Sequence, residues 1–503
     1  MSRGAVIFVR LSELASQLLV RTIVGNPALS ITSLASDSRI AQPGCLFFCL
    51  PGLKDDGHRF ALQAIERGAA ALVTARQLEL DIAQLIVPDT RQALAMLADH
   101  YYGRPSHRLR PIGVTGTNGK TTTTYLIERI LADAGIVPGV IGTIETRYGG
   151  RHYPMSGTTP DVLELQGIFK SMVDAGTDRC VMEVSSHALE QGRVKGCRFR
   201  TAVFTNLTQD HLDYHGSMDA YEKAKGLFFS RLGNVYFDDP KQRTFAVLNV
   251  DDPVASAYAK LTSMETITYG IDNEAQLRAS GVAISAGGTT FQLDSFWGSR
   301  QVNLKLVGKF NVYNALAALG AAICEGIEVQ DAVRSLERIT GVPGRVEPVN
   351  AGQPYAVIVD YAHTPDGLEN VLRMVRELTH GHVICVFGCG GDRDRAKRPI
   401  MGRIAAAYAD LVIVTSDNPR SEDPYLIIEH IESGLIAAST SKDKYMLEPD
   451  RRAAIEKAVE KASPGDVVLI AGKGHETYQL IGGVTYDFDD RLVAKEAIRS
   501  RTN

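Results

Sequence analysis

The sequence predicts an α/β protein of three domains. A small N-terminal α/β domain is expected over residues 1–108. A central doubly wound parallel sheet of phosphate-loop type follows over 109–342, and a C-terminal Rossmann-like α/β domain over 343–503. Three observations carry this. The chain has 503 residues, and domains of about 100 to 200 residues make three the natural count. From residue 109 onward, short β-branched runs alternate with helical patterns, as parallel sheets covered by helices require. Within that alternation, RPIGVTGTNGKTTTTYLIERILADAG at 110–135 reads strand, glycine loop, helix.

The N-terminal part mixes short strands, turns and helices, with ASDSR at 35–39, FFCLPGLKDDGHRF at 47–60 and an Ala-rich helix near Arg91 to Tyr102. Gly57 and His58 fall in a turn after a buried strand, where backbone groups can hold a ligand; a plain polar turn fits as well. Arg104-Pro105-Ser106-His107 reads as a linker, because proline and polar residues break the preceding helix.

The central domain opens with Gly116-Thr117-Asn118-Gly119-Lys120-Thr121. Its glycines let backbone N–H groups approach an anion and the helix start adds positive partial charge. Lys120 can span two phosphates, and the Thr121 hydroxyl, followed by Thr122, can hold Mg2+. Val114 stands where the full pattern has glycine, so the match is to this compact core, and it predicts binding of a nucleotide triphosphate.

Further strand ends supply more chemistry. Glu183 lies inside the apolar run CVMEV and needs a cationic or metal partner, or an ion pair with a buried arginine. TAVFTNLTQDHLDYHG at 201–216 delivers Asp210, His211, Asp213 and His215 into one turn, suited to a metal or a phosphate or simply solvated. Thr158, Thr159, Ser185, Gln191 and Arg193 offer donors for a carboxylate or carbonyl, or serve as caps and turns. Lys225 sits on a helix, where a lysine is ordinarily solvated. Phe310 to Leu316 begins a helix on which Asn311 and Asn314 could reach an adenine edge. Gly341 to Arg345 reads as a hinge.

In the C-terminal domain YAVIVDYAH, HVICVFGCGG, DLVIVTSDNP and DVVLIAGKGHE are four strands running into polar loops that share one rim of an open parallel sheet. Asp360 and His363 could touch ribose or phosphate. Gly388-Cys389-Gly390-Gly391 lacks the last glycine of a dinucleotide fingerprint, since Arg393 stands there, so NAD binding is not expected. Arg393 and Arg420 can close on a carboxylate, with Asp417, Asn418 and Glu476 available for ammonium groups, and Pro419 and Gly472 are expected in the same amino-acid site. This equipment suits an amino acid with a zwitterionic far end.

Composition narrows the function classes. Lys plus Arg number 54 and Asp plus Glu 58, a formal charge of -4, which argues against nucleic-acid binding by phosphate neutralisation. Seven cysteines, an odd number, with Cys45 and Cys49 and Cys385 and Cys389 four apart and the others isolated, give no disulfide framework and no CxxC pairs for zinc. No apolar run approaches the ~18 residues of a membrane span. A cytoplasmic protein without a membrane or nucleic-acid partner is expected.

GTNGKT, EVSSHAL, TNLTQDHLDYHG, FNVYNALAA, DYAHTPD and DNPR together resemble the Mur ligase family, whose members form amides at the expense of ATP in peptidoglycan precursor synthesis. The resemblance spans nearly the whole chain and is closest to the branch that extends UDP-MurNAc-L-Ala-D-Glu by its third residue. It implies ATP and Mg2+ as cofactors, with ATP held by Gly116 to Thr122, Asn311, Arg345 and Asp360. It implies that the N-terminal domain grips the UDP end through Ser36, Ser38 and Leu53, Lys54 and Asp55. Thr158, Thr159, Ser185, Gln191 and Arg193 are then placed around the acyl part. It further implies that Lys225 is carbamylated and holds a second Mg2+ with His211, while Thr121 and Glu183 serve the first. The catalytic set is then Lys120, Glu183, His211 and Lys225. DNPR resembles the signature of enzymes that add meso-diaminopimelate, because lysine has no distal carboxylate and leaves a buried arginine unpaired. The expected protein is a monomeric ligase passing through an acyl phosphate. A lysine-adding or folate-directed ligase, and a nucleotide-binding regulator or phosphotransferase, are the competing readings.

Overall fold

A computed structural model describes residues 8–52, 55–155, 157–233, 237, 239 and 242–502. The chain forms two compact units. One comprises Met1–Gly113, Ile136–Thr201 and Tyr236–Thr244, the other Val114–Gly135, Ala202–Val235 and Phe245–Asn503. Both are mixed α/β, as the alternation of apolar periods requires. Among the described residues no helix is long and apolar enough to cross a membrane.

In the first unit a five-stranded sheet runs in the order Thr22–Val24, Ala83–Ile86, Ala71–Thr74, Cys45–Phe48, Ser33–Ala35. The first pair is antiparallel and the rest are parallel. Leu46, Phe48, Ala71 and Val73 face one core together with Leu94 and Leu97 of the helix Thr90–Tyr101. Phe47 and Leu72 face the other, so both sides are buried and the strands read as continuous apolar runs. A second set of strands pairs Arg179–Glu183 in parallel with Pro138–Ile141, which is extended by the antiparallel strands Glu145–Tyr148 and Arg151–Pro154. The expected linker at Arg104–His107 is instead helical. Arg104 takes a left-handed φ of 55°, and Pro105–Leu109 is a short helix, because proline at the first helical position loses no hydrogen bond.

In the second unit the Thr201–Phe204 strand lies beside Phe245–Asn249. Phe245–Asn249, Glu265–Gly270 and Leu277–Ser285 are parallel, and Gly288–Ser295 and Arg300–Leu304 close the edge as antiparallel strands. The C-terminal sheet has the order Glu347–Pro348, Ala356–Asp360, Val467–Ala471, Val383–Phe387, Leu411–Val414, Tyr445–Leu447. All but the first pair are parallel. Val383–Phe387 and Val467–Ala471 are buried along their whole length between helices on both faces. Parallel strands point their carboxyl ends one way, so Asp360, the loop after Phe387, Asp417–Arg420 and Gly472–Glu476 lie along one rim.

Candidate active site

The phosphate loop follows the Ile112–Thr115 strand and ends at the helix Lys120–Asp133, with Gly119 at its N-cap in the left-handed region, φ 84°. Neighbouring strand ends clamp the loop. Thr117 N donates to Asn206 O at 2.8 Å, Asn118 N to Asn206 Oδ1 at 2.9 Å, and Thr205 Oγ1 to Asn118 O at 2.6 Å. Lys120 Nζ donates to the loop's own carbonyls, Gly116 O at 3.0 Å and Thr117 O at 2.7 Å. Arg345 Nη2 donates to Thr121 Oγ1 at 3.0 Å. Thr122 is buried in the first helical turn.

A second ammonium meets the same carbonyl. Lys225 lies on the helix Met218–Ser230, is 1% exposed, and donates to Gly116 O at 2.9 Å with its Nζ 4.4 Å above the Tyr221 ring. Burial, reinforced by the charge of Lys120, pushes its ammonium well below the ordinary lysine range. The solvated lysine is thereby replaced by an enclosed amine poised over the phosphate loop.

His211 takes a left-handed φ of 57°, an uncommon conformation for a residue with a side chain. Its Nε2 lies 3.4 Å from Asp210 Oδ2. Asp210 is itself buried and receives Lys397 Nζ at 3.3 Å. Burial would raise this carboxyl, but Lys397 and the adjacent histidines hold it far below the usual range. His363 Nε2 stands 4.0 Å from the same carboxylate, and burial together with Lys397 pushes its imidazole down to about 4. Asp213 and His215 fall on the short helix Leu212–His215. Among the described residues no cluster of three or more His, Cys, Asp or Glu side chains is arranged to hold a metal ion.

Asn311 and Asn314 are buried on the helix Lys309–Cys324 and bonded to each other, Asn314 Nδ2 to Asn311 Oδ1 at 3.1 Å. Asn311 Nδ2 donates to Val307 O at 2.9 Å. Asp360 is turned inward: its Oδ2 accepts Val346 N at 2.7 Å, and burial raises its carboxyl despite Arg345 nearby. Asn118 Nδ2 donates to Asp366 Oδ2 at 2.7 Å, and Thr364, which caps the helix Pro365–Leu378, donates to Asn118 Oδ1 at 3.2 Å. Asp366, Thr205, Asn206 and Lys397 escaped the sequence reading. Thr205 and Asn206 open TNLTQDHLDYHG and Asp366 closes DYAHTPD, without being singled out there.

On the C-terminal rim, a Cβ added at Gly390 would lie 2.8 Å from Arg420 Nη1 and 3.7 Å from Arg393 Cγ, so the two arginines flank one glycine. Arg420 has φ 55° and donates to Gly391 O at 2.7 Å. Arg393 is exposed and donates to Asp392 O at 2.9 Å. Asp417 and Asn418 are buried, as is Pro419. Asp417 Oδ1 accepts Asn418 N at 2.6 Å, and a Cβ at Gly472 would lie 2.6 Å from Asp417 Oδ2. Asn418 Nδ2 donates to Glu476 Oε2 at 2.9 Å. Burial, then the charge of Asp417, raises the Glu476 carboxyl. Below the rim Arg451 and Asp490 form a fully buried pair at 2.7 Å, and Arg451 also donates to Ser416 O and Ala471 O.

The first unit carries its own cavity of about 650 Å³, lined by Ser36, Ser38, Gln191 and Arg193 among the expected residues, and by Arg39, Phe60, Arg91 and Asp161 besides. Ser38 Oγ donates to Gln63 Oε1 at 2.6 Å, while Ser36 is exposed. Leu53 and Lys54 lie outside the described residues, and Asp55 is exposed. Arg193 is held in place by Gln191 Oε1, Thr159 O and Asp161 Oδ1 at 2.8–3.2 Å. Thr159 Oγ1 donates to Glu183 O, and Ser185 caps Ser186–Glu190. Thr158 Oγ1 lies 3.1 Å from Thr143 Oγ1. Glu183, 1% exposed, accepts from Thr143 N at 2.9 Å and from Thr143 Oγ1 at 3.0 Å; this threonine was not anticipated.

Three family models match the chain. Residues 30–102 match "Mur ligase family, catalytic domain", 114–322 "Mur ligase middle domain", and 344–474 "Mur ligase, glutamate ligase domain". A relative from Geobacillus thermodenitrificans, named UDP-N-acetylmuramoyl-L-alanyl-D-glutamate--2,6-diaminopimelate ligase, is 53% identical over 95% of this chain and 96% of its own. One of the same name from Bacillus cereus is 48% identical over 98% and 99%. A solved structure titled as that ligase superposes with a TM-score of 0.70 at 35% identity, covering 99% of this chain and 100% of the other.

Proposed function

The chain belongs to the Mur ligase family, and from that premise we infer that it is the ATP-dependent ligase joining meso-2,6-diaminopimelate to the D-Glu γ-carboxylate of UDP-MurNAc-L-Ala-D-Glu in peptidoglycan precursor synthesis. A carboxylate resists amines because oxide is a poor leaving group. Transfer of the γ-phosphoryl group of ATP gives an acyl phosphate. The amine then attacks its carbonyl, and the tetrahedral intermediate collapses by expelling phosphate.

In this reading Gly116 to Thr122 cradle the phosphates of ATP, and Lys120 leaves the loop carbonyls to neutralise the transferring group. Arg345 fixes the Thr121 hydroxyl, and Asn311 and Asp360 border the nucleotide. Mg2+ supplies further positive charge when bound, with Thr121 and Glu183 proposed as ligands of one ion and His211 and carbamylated Lys225 as ligands of a second. The fit of that set turns on Lys225. As an ammonium beside Lys120 it opposes a cation, whereas its enclosed, weakly basic amine is the form that takes up carbon dioxide and becomes a carboxylate. Restoration of Lys225→Ala activity by short carboxylic acids is the expected result; full activity without rescue refutes the modification.

The nucleotide end of the acceptor is proposed to occupy the 650 Å³ cavity, with Ser36 and Ser38 of its lining toward the UDP; Asp55 is proposed for the same group. Thr158, Thr159, Ser185, Gln191 and Arg193 lie toward the acyl chain. The observation that carries the choice of amine is the pair Arg393 and Arg420 flanking Gly390, beside Asp417 and Glu476. Two cations suit a distal carboxylate, and two carboxylates suit ammonium groups. The proposed setting is the cytoplasm and the proposed state a monomer. Incubation with ATP, UDP-MurNAc-L-Ala-D-Glu and either diaminopimelate or lysine, read by product mass, tests this. Amide formation with diaminopimelate is expected, and its selectivity over lysine is expected to fall about a hundredfold in Arg393→Ala/Arg420→Ala. Undiminished selectivity overturns the rim assignment.

A further inference from the structure

One charged group on the rim remains without a role. Lys473, in the turn after the Val467–Ala471 strand, is 0% exposed. Its Nζ donates to Glu476 Oε2 at 2.9 Å and to Asn418 Oδ1 at 3.1 Å. Asn418 completes a triangle by donating Nδ2 to the same Glu476 oxygen, and its Oδ1 also accepts Leu480 N at 3.0 Å. An ammonium removed from water is costly unless it is paired. This one is paired with two residues that the reading above assigns to the amino acid. It is too enclosed to touch that ligand itself.

We propose that Lys473 is a positioning residue of the amino-acid site: its ammonium holds Glu476 as a carboxylate and fixes the Asn418 amide, so that the pocket receives an ammonium group rather than a proton. The inference rests on the reading that Asp417, Asn418 and Glu476 bind diaminopimelate. The chemical need is specific. Two enclosed carboxylates near each other tend to retain a proton, which would turn an ammonium acceptor into a donor. Glu476 faces Lys473 and Asn418 by hydrogen bond and Asp417 by charge, with Tyr361, Tyr478 and Arg451 within electrostatic reach. Burial and Asp417 push its carboxyl up, and Lys473 pulls it down. Without Lys473 the carboxyl rises further. More of it is then protonated near neutrality, and ionisation returns as the pH rises.

The test is the KM for diaminopimelate from pH 6.5 to 8.5, at saturating ATP and acceptor, for the wild type, Lys473→Met and Lys473→Gln. At pH 6.5 both variants are expected to raise KM, by up to about tenfold for each pKa unit that carries the Glu476 carboxyl above the assay pH. The excess is expected to shrink steadily toward pH 8.5, with the KM for ATP within about twofold of wild type. In a Glu476→Gln background Lys473→Met is expected to add less than about twofold, because the two act as one unit. An excess that is the same at every pH, an unchanged KM, or failure of both variants to fold assigns Lys473 to the core and overturns the proposal. A wild-type enzyme that does not use diaminopimelate fails the site reading first, and is told apart because no KM exists to compare.

Discussion

The phosphate loop and the C-terminal rim are built by opposite means. At Gly116 to Thr121 the backbone makes the site: two glycines, a helix start and loop carbonyls on which Lys120 and Lys225 rest. On the rim, side chains make it, already held in place: Arg420 on the Gly391 carbonyl, Asn418 on Glu476, and Lys473 on both of these last two. A backbone site needs the right turn and little else. A side-chain site needs a foundation, and here that is the buried pair Arg451 and Asp490, which ties down the carbonyls just before Asp417 and Gly472.

The largest effect that follows belongs to the foundation. Arg451→Met leaves Asp490 buried without its partner and is expected to cost about 3–5 kcal/mol of stability, read as a lowered unfolding midpoint. Arg451→Met/Asp490→Leu should recover most of it, since an apolar pair leaves no stranded charge. Equal destabilisation in the double variant would show that the pair is not what holds the rim. Next comes the phosphate loop, where Lys120→Ala is expected to lower kcat about 10²–10³-fold with the unfolding midpoint unchanged. A backbone site loses its chemistry without losing its fold. A midpoint that drops with Lys120→Ala would erase the contrast between the two regions.

The same contrast explains what could be read from the sequence. The loop is contiguous, so glycine spacing and flanking periods announced it, and the runs VICVF and VVLIA announced the buried strands of the rim. Arg393 and Arg420 could be proposed from the sequence because a loop ending a parallel strand is where a ligand is expected. The pairs that weld these parts were not. Asn118 meets Asp366 across 248 positions of sequence, Lys397 meets Asp210 across 187, and Arg451 meets Asp490 across 39. No local period or motif encodes such distances; they follow from the order in which strands assemble. The cavity of the first unit was harder still. Arg39, Phe60 and Arg91 come from three unrelated turns and helices, each of which alone resembles ordinary surface.

Two glycines sharpen the comparison at smaller scale. Gly119 has φ 84°, and a Cβ there would lie 2.4 Å from Asn314 Oδ1, an atom fixed in a buried helix. Gly119→Ala therefore meets both a backbone penalty of about 1–2 kcal/mol and a rigid neighbour, and is expected to raise the KM for ATP about tenfold or more. At Gly390 no left-handed φ is required, and the atom a Cβ would meet is the Nη1 head of Arg420 at 2.8 Å. A flexible guanidinium can shift. Gly390→Ala is expected to raise the KM for diaminopimelate only about threefold and to leave the KM for ATP and the unfolding midpoint where they were, because it moves one ligand-facing group and no backbone. Steady-state kinetics on both variants with both substrates decides the matter. A Gly390→Ala effect on ATP as large as that of Gly119→Ala would mean that the rim, too, is built by its backbone.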